Sequence, residues 1–269
     1  MEVIIVDNNS SDGSAEFAEK IWNSCNPSVS LKIVRETQQG LSSARKRGIF
    51  ESRFDYLVFC DDDNWLDSQY LMIANDTLSN NKSIGVLGGQ GLPVTDADGF
   101  PNWFYTYSGG YAVGVQAMKS GDISGRGFVW GAGAVMRRDL LVAIFSAGYE
   151  LLLSGRIGEK LAAGDDCEMC KWFLLANYRL WYEENMIFRH FISRERLTTD
   201  YLNNLFIGFS DSSLVLARYD HYLRRRASRT LWYKKPVCWL KSELEVFLDI
   251  SYQKRRVAEL AGNVVSLGL

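Results

Sequence analysis

Three consecutive carboxylates follow a short apolar run in the first quarter of the chain. The run Tyr56-Leu57-Val58-Phe59 is apolar and aromatic, and Asp61, Asp62 and Asp63 come soon after it. Such a run is typical of a buried strand in a parallel sheet, and ligands bind where these strands end. Adjacent carboxylates repel one another unless a cation or hydrogen-bond donors lie among them, and oxygen ligands suit Mg²⁺ or Mn²⁺. The cluster therefore predicts a divalent-ion site, with a solvated acidic turn as the alternative.

A second acidic pair lies far along the chain. Asp165 and Asp166 precede apolar residues at helical spacing, including Met169 and Phe173. They are therefore expected at a helix N-terminus, where the helix dipole stabilises carboxylates. A helix cap with acidic first-turn residues is the simplest interpretation of this motif alone. His190 ends a later apolar run, and a single histidine is more often a hydrogen-bonded structural residue than a ligand.

The cysteines favour reduced thiols. The chain has five cysteines, an odd number, and no secretory signal. Cys167 and Cys170 form a C-x-x-C motif, but no second pair accompanies them. The neighbouring carboxylates should raise the thiol pKa values, so we expect neither a metal nor a redox role for this pair.

Composition indicates a globular protein with one locally basic segment. The chain has 269 residues, is 47% hydrophobic and carries a net charge of −2. No apolar run could span a bilayer, so we expect a cytoplasmic protein. Eight Lys or Arg residues lie between Arg218 and Lys241, interleaved with tryptophans. This pattern suits an anionic lipid surface, which would make the protein peripheral on the inner face of the cell membrane, with a solvated basic helix as the alternative. No nucleic-acid module accompanies it, so nucleic acid is not an expected partner.

The elements that position these groups alternate between strand and helix. This order predicts an α/β fold with a mostly parallel, doubly wound central sheet and right-handed crossovers. The third strand would bring its acidic cluster to the same sheet edge as Asp7 and Asn8, while Arg45 lies in the first turns of the second helix. The predicted elements are strand 3–6, helix 17–25, strand 31–34, a helix from Ser42 or Ser43 to residue 50, and strands 56–59, 84–87, 128–136 and 178–182.

The chain divides into two parts on the same grounds. Residues 1–197 carry the alternating pattern, and residues 198–269 look helical and contain the basic segment. We therefore predict a catalytic domain over 1–197 and a C-terminal helical appendage over 198–269.

Four motifs, taken together, resemble a known family. In chain order they are Val3-Ile4-Ile5-Val6-Asp7-Asn8-Asn9-Ser10-Ser11-Asp12-Gly13-Ser14, Gly40-Leu41-Ser42-Ser43-Ala44-Arg45-Lys46-Arg47-Gly48-Ile49, Asp61-Asp62-Asp63-Asn64 and Gly164-Asp165-Asp166-Cys167-Glu168. Their types and order are similar to those of family 2 glycosyltransferases with the GT-A fold. The likeness runs from Met1 to about His190; each motif is weak alone, but the ordered set is specific.

The resemblance implies roles for these residues. Family members use a nucleotide-activated sugar and invert its anomeric centre. Asp166 matches the catalytic base, Asp165 stands where Glu is usual, and Glu168 is an alternative base. Asp63 would hold Mn²⁺ or Mg²⁺ on the diphosphate, with His190 as a second metal ligand. The residues implied to bind the nucleotide-sugar are Asp7, Asn8, Arg45, Asp61 and Asp62.

Two departures from the family accompany these motifs. Lys46 stands where the family usually has Asn, and the family's first strand-helix unit has no counterpart before Val3. The resemblance therefore implies a central sheet short of one strand.

Three functional hypotheses follow. The leading one is a metal-dependent, inverting glycosyltransferase that acts on a glycan or lipid-linked acceptor in cell-envelope or polysaccharide synthesis. The first alternative is a non-catalytic, truncated GT-A scaffold that binds membrane or a partner through its basic helices. A nucleotidyltransferase on a related fold is the weaker alternative.

Overall fold

The computed structural model describes residues 1–25, 27–156 and 163–230, with side chains as far as residue 226. Strands and helices alternate over residues 3–58, as predicted, and beyond them two strands or two helices also follow one another directly. The strands are β1 (Val3–Asp7), β2 (Leu31–Arg35), β3 (Tyr56–Val58), β4 (Asn64–Leu66), β5 (Ile84–Val94), β6 (Gly121–Asp122), β7 (Val135–Arg137) and β8 (Arg179–Phe191). The helices are α1 (Ser14–Ser24), α2 (Leu41–Glu51), α3 (Tyr70–Asn80), α4 (Phe104–Tyr107), α5 (Arg138–Ser146), α6 (Asp165–Leu175) and α7 (Thr199–Thr230). Short 3₁₀ turns cover Ser108–Tyr111, Ser124–Arg126 and Arg194–Arg196.

The strands form two separate sheets. β1 and β2 pair in parallel, with Val3 opposite Leu31. The second sheet has the order β3-β7-β5-β8-β4, and β6 also pairs with β8. Within the described residues, no strand pairs with the second edge of β1 or of β3. The α/β class is confirmed, but the larger sheet is mixed, because β7 is antiparallel to both of its neighbours and needs no crossover helix.

Two strands extend further than predicted, and one of them continues through a pair of glycines. β5 continues through Gly88 and Gly89 to Val94 instead of ending at residue 87. A Cβ on Gly89 would overlap the backbone carbonyl oxygen of Met186 in β8. The glycines therefore allow two strands to approach closely and do not end the strand. The predicted strand 178–182 likewise extends into the longer β8.

The predicted strand 128–136 is mostly a loop. Only β7 pairs with other strands, and the residues before it pass close to α3 and α6. A Cβ on Gly133, whose φ is +70°, would lie 2.6 Å from the hydroxyl oxygen of Tyr70. A Cβ on Gly131 would lie 3.0 Å from the Cβ of Asp166. The loop therefore brings backbone directly against the start of α6.

Apolar side chains cover both faces of the larger sheet. Adjacent residues of one strand enter different core clusters: Val86 joins the cluster built with α5 and α6, and Leu87 joins the cluster built with α3. A third cluster joins α4 to the start of α7 through residues such as Phe104 and Leu205. The helices thus hold the sheet from two sides and leave its strand ends for the site.

The first part of the predicted C-terminal segment packs on the domain. Tyr219 of α7 donates to Glu168 of α6 at 2.7 Å, and Lys171 pairs with Asp220 at 2.6 Å. The guanidinium of Arg226 donates to the Leu175 carbonyl and the Asn177 side chain. Part of the predicted basic segment therefore anchors α7, and its residues 231–241 lie outside the described residues. Among the described helices, none combines the length and apolar content needed to cross a membrane.

Gly89→Ala should destabilise the fold strongly. The added methyl group meets backbone atoms of β8, which cannot move aside as a flexible side chain can. We expect a loss of about 3 kcal/mol or more in the free energy of unfolding, measured by urea denaturation. Gly99→Ala is the matched control, because its methyl group would meet nothing within 4 Å, and its effect should stay within about 0.5 kcal/mol. Equal stability of the two variants would contradict the close approach of β5 and β8.

Candidate active site

One cavity of about 2110 Å³ brings the predicted site residues together. Its walls come from the ends of β1 and β3, from α2, from the start of α6 and from the end of β8. The nine predicted residues that line it are Asp7, Asn8, Arg45, Asp61, Asp62, Asp63, Asp165, Asp166 and His190. Positions separated by more than 180 residues in the sequence thus share one solvent-accessible space.

The end of β1 is fixed to the start of α2. Asn8 accepts a hydrogen bond from the Gly40 N–H at 2.7 Å, and its amide donates to the Gln38 carbonyl at 2.8 Å. Gly40, at φ +124°, occupies the N-cap position of α2, so the helix begins without the predicted serine cap. Asp7 accepts from the Ser10 N–H at 3.0 Å, and hydrogen bonds from Ser10 lower its pKa. Asn8 thus holds the loop, and Asp7 keeps its charge at the cavity edge.

Arg45 is the buried cation of the site. Its Nη1 lies 2.6 Å from Asp165 Oδ2, its Nη2 lies 3.8 Å from Asp61 Oδ1, and its guanidinium stands over the Phe59 ring at 5.6 Å. Burial lowers the pKa of Arg45, but the charges of Asp165, Asp61 and Asp166 outweigh it and raise that pKa overall. Arg45 therefore stays charged, and it commits Asp165 to a structural ion pair.

Backbone amides hold Asp166, and among the described residues no cationic group lies within hydrogen-bond distance of it. Its Oδ2 accepts from the Gly131 N–H at 2.7 Å, and its Oδ1 accepts from the Cys167 N–H at 2.8 Å. Burial, followed by the charge of Asp165, raises the pKa of Asp166, although Arg45 and the two backbone donors oppose that shift. A carboxylate with a raised pKa is a stronger base, and this one is fixed in orientation and lines the cavity.

Glu168 does not share this position. It is fully buried and does not line the cavity. It accepts hydrogen bonds from the Leu152 and Leu153 N–H groups, each at 2.9 Å, and from the Tyr219 hydroxyl. The structure therefore favours a structural role for Glu168 over the alternative of a base, because its carboxylate ties a loop and α7 to α6.

The surroundings of the two C-x-x-C thiols indicate a structural role. Burial raises the pKa of Cys170 to about 12, and burial together with the Asp166 charge raises the pKa of Cys167. Both thiols are therefore held in the protonated form, as the acidic neighbours led us to expect. Lys46, the departure from the family pattern, pairs with Glu150 and stands over the Phe145 ring, away from the cavity.

Asp63 is the most constrained of the three consecutive carboxylates. β4 pairs with β8 so that Asn64 faces His190, which brings the imidazole beside Asp63. Asp63 Oδ1 accepts from the Asn64 amide at 2.8 Å, and its Oδ2 lies 3.3 Å from His190 Nε2 and 2.8 Å from Arg196 Nη1. Burial raises the pKa of Asp63, but hydrogen bonds and charge from His190 and Arg196 lower it overall.

The side chains of Asp63 and His190 offer atoms that could coordinate a divalent ion shared with a substrate. Asp63 Oδ2 and His190 Nε2 lie 3.3 Å apart, and the buried Nδ1 of His190 has no hydrogen-bond partner among the described residues. In the part of the chain that the structure describes, no group of three or more His, Cys, Asp or Glu side chains is arranged to hold a metal. Mg²⁺ is usually bound through one or two carboxylates together with substrate phosphates and water, so Asp63 could share such an ion only with a bound substrate.

Arg196 is the site residue that the sequence analysis missed. It follows β8 in the 3₁₀ turn Arg194–Arg196, and it lines the cavity. An isolated arginine in a polar turn carries no periodic or motif signal, and its contact with Asp63 spans 133 positions.

A family model, Glycosyl transferase family 2, matches residues 1–145, which is more than half of the chain. The chain belongs to glycosyl transferase family 2. The matched region contains β1, α2 and the Asp61–Asp63 cluster. The resemblance seen in the four sequence motifs is therefore confirmed at the level of the family.

Individual relatives match over shorter segments. The cholesterol galactosyltransferase of Borreliella burgdorferi is 33% identical over 84 residues, which cover 31% of this chain and 23% of that protein. EpsH of Bacillus subtilis, named as a glycosyltransferase, is 33% identical over 70 residues, covering 26% of this chain and 20% of EpsH. The match thus spans about a quarter or less of these curated relatives.

Solved structures that match this chain include S. aureus TarS. A crystal structure of TarS residues 1–349 gives a TM-score of 0.47 at 15% identity, covering 82% of this chain and 60% of that one. The complex of the same TarS fragment with UDP-GlcNAc gives a TM-score of 0.49, also at 15% identity, covering 82% of this chain and 61% of that one.

Arg45→Ala should destabilise the protein by about 3–5 kcal/mol, because it leaves the buried Asp165 carboxylate without its cation. Urea denaturation would measure this loss. Arg47→Ala, two positions along the same helix, removes a partly exposed pair with Glu51 and should cost less than about 1 kcal/mol. Adding Asp165→Asn to Arg45→Ala should recover part of the loss; no recovery would show that the ion pair is not its origin.

Proposed function

We propose that this chain transfers a sugar from a nucleotide-sugar donor to an acceptor hydroxyl, with inversion at the anomeric carbon. The observation that carries the proposal is that Asp166 and the Asp61–Asp63 cluster open onto one cavity, with the Arg45–Asp165 pair between them. Family membership supports glycosyl transfer as the reaction class. The relative named as a galactosyltransferase supports the same class.

Asp166 is the proposed general base. An acceptor hydroxyl is a poor nucleophile, so a carboxylate within hydrogen-bond reach must take its proton during attack. The new bond forms between the acceptor oxygen and the anomeric carbon as the bond to the diphosphate oxygen breaks. The electron pair leaves with the nucleoside diphosphate, the proton moves to Asp166, and a single in-line displacement inverts the carbon.

The acidic edge is the proposed leaving-group side. Asp63 and His190 would hold Mn²⁺ or Mg²⁺, which offsets the negative charge on the departing diphosphate when it is bound. Asp62 is exposed at the cavity wall, where it could accept hydrogen bonds from ribose or sugar hydroxyls. Asp61 lies between Arg45 and this edge.

The remaining predicted residues divide between binding and support. Asp7, charged and half-buried at the end of β1, is the proposed contact for the nucleobase. Asn8 supports it by holding the loop before α2, since both ends of its amide are engaged within the protein. Arg45 acts as a positioning residue, because its guanidinium fixes Asp165 beside the base.

The acceptor is proposed to be a glycan or a lipid-linked sugar of the cell envelope, met at the cytoplasmic face of the membrane. Arg218 and Arg224 of α7 supply positive charge that would favour an anionic lipid surface. Arg226 contributes less to such a surface, because its guanidinium is hydrogen-bonded to the end of α6.

Asp166→Asn should reduce turnover by about 10²–10⁴-fold, because the amide cannot take the acceptor proton. The measurement is nucleoside diphosphate release from a panel of UDP-, GDP- and dTDP-sugars, with Mn²⁺ and with water or a sugar as acceptor. In the wild type, turnover should fall in acid at a pH above the ordinary Asp value of about 3.9, because the raised pKa means that the base is protonated sooner.

Glu168→Gln is the matched control, since it neutralises a carboxylate of the same helix that does not line the cavity. It should keep its turnover while losing some stability, because one buried hydrogen-bond network is altered. Retained turnover in Asp166→Asn, or an equal loss in Glu168→Gln, would remove Asp166 from the role of base.

A further inference from the structure

Arg196 donates a hydrogen bond to the Asp63 carboxylate oxygen that a divalent ion would also coordinate. Its Nη1 lies 2.8 Å from Asp63 Oδ2, the oxygen that also faces His190 Nε2 at 3.3 Å. The other oxygen of Asp63 accepts from Asn64. We propose that Arg196 is a built-in counter-ion that competes with the divalent cation for Asp63 and, once released, binds the diphosphate of the donor. This inference rests on the proposed function.

The first argument for competition is charge. Three adjacent carboxylates repel one another, and Arg196 supplies positive charge to the one that is most buried among them. A divalent ion on Asp63 Oδ2 would stand against the guanidinium, and like charges at that distance are strongly unfavourable. Arg196 and the ion therefore exclude each other from Asp63.

The second argument is the position of Arg196 in the chain. It lies in a short 3₁₀ turn between β8 and α7, so its backbone belongs to neither the sheet nor the long helix. Its side chain is held by Asp63, by the Tyr201 hydroxyl at 3.1 Å from its Nε, and by the Phe191 carbonyl at 3.5 Å from its Nη1. The guanidinium also stands 5.6 Å from the centre of the Tyr201 ring. All of these contacts are made by the guanidinium, so a rotation of the side chain can release it without moving an element of the fold.

The third argument is where the released group would go. Arg196 lines the cavity beside the acidic edge, where the proposed donor places its diphosphate. A guanidinium binds phosphate oxygens through two parallel hydrogen bonds, and it keeps its charge at any pH of interest. Arg196 would therefore leave the Asp63 carboxylate and bind the phosphate groups of the nucleotide-sugar donor instead.

Competition of this kind couples the two ligands. A diphosphate that draws Arg196 away raises the affinity of Asp63 for the cation, and by linkage the cation raises the affinity for the diphosphate by the same factor. The site would then bind the cation more tightly when the nucleotide-sugar donor is present than when it is absent.

The test is Mn²⁺ binding to the full chain, with Arg196→Gln compared with the wild type in the absence of nucleotide. Electron paramagnetic resonance of free Mn²⁺, or calorimetry, gives the dissociation constant. Arg196→Gln should bind Mn²⁺ at least about 10-fold more tightly, equivalent to about 1.4 kcal/mol. The factor by which saturating UDP tightens Mn²⁺ binding should shrink in the same variant.

Arg194→Gln is the matched control, because Arg194 lies in the same turn but contacts Asp96. It should bind Mn²⁺ as the wild type does, and Arg196→Lys, which keeps a positive charge, should stay near the wild type. If Arg196→Gln folds poorly, Arg196→Met keeps an apolar stem for packing and carries the same expectation.

Equal Mn²⁺ affinity in the wild type and in the uncharged Arg196 variants would overturn the inference and leave the proposed function intact. An equal gain in Arg194→Gln would also overturn it, because the effect would then be one of general charge. Absence of Mn²⁺ binding from every protein, even with UDP present, would contradict the proposed metal site itself.

Discussion

The buried ion pair between Arg45 and Asp165 is the constraint on which the rest of the site depends. It joins α2 to α6 across 120 positions of sequence at 2.6 Å. Both groups are shielded from water, so neither can lose its partner without leaving an uncompensated charge. The pair also separates the two neighbouring carboxylates of α6, because Asp165 binds Arg45 whereas the adjacent Asp166 lines the cavity and accepts from backbone amides.

Three carboxylates in the first turn of α6 thus have three different surroundings. Asp165 neutralises Arg45, Glu168 accepts from two backbone amides and a tyrosine, and Asp166 is oriented by backbone at the cavity wall. Gly131 makes the last arrangement possible, since a side chain there would crowd Asp166. Asp63, which lines the same cavity, pairs with Arg196 and lies beside His190. Asp166 and Asp63 thus line one cavity but have different partners, backbone amides for the first and cationic or imidazole side chains for the second.

The sequence was sufficient to predict the α/β class and the nine residues that share the cavity, because strand-ending polar motifs in a fixed order leave a local signal. It was insufficient where tertiary packing determines the length of a strand or the position of a side chain. Gly88 and Gly89 looked like a strand end, yet they allow β5 to pass close to β8. Asp166 was the predicted base and Glu168 the alternative, and only the structure shows that Asp166 lines the cavity whereas Glu168 is buried away from it. Arg196 had no local signal, because its partner lies 133 positions away.

The measurement that tests the account most directly is a thermal-shift panel of UDP, GDP and dTDP, with and without Mn²⁺, on the wild type and Asp63→Ala. The account predicts that one nucleotide raises the melting temperature, that the rise requires Mn²⁺, and that Asp63→Ala loses it while exposed Asp98→Ala keeps it. At 100 times its dissociation constant the nucleotide should add about 2.7 kcal/mol of stability. No shift with any nucleotide, or an equal shift in Asp63→Ala, would contradict a donor site in this cavity.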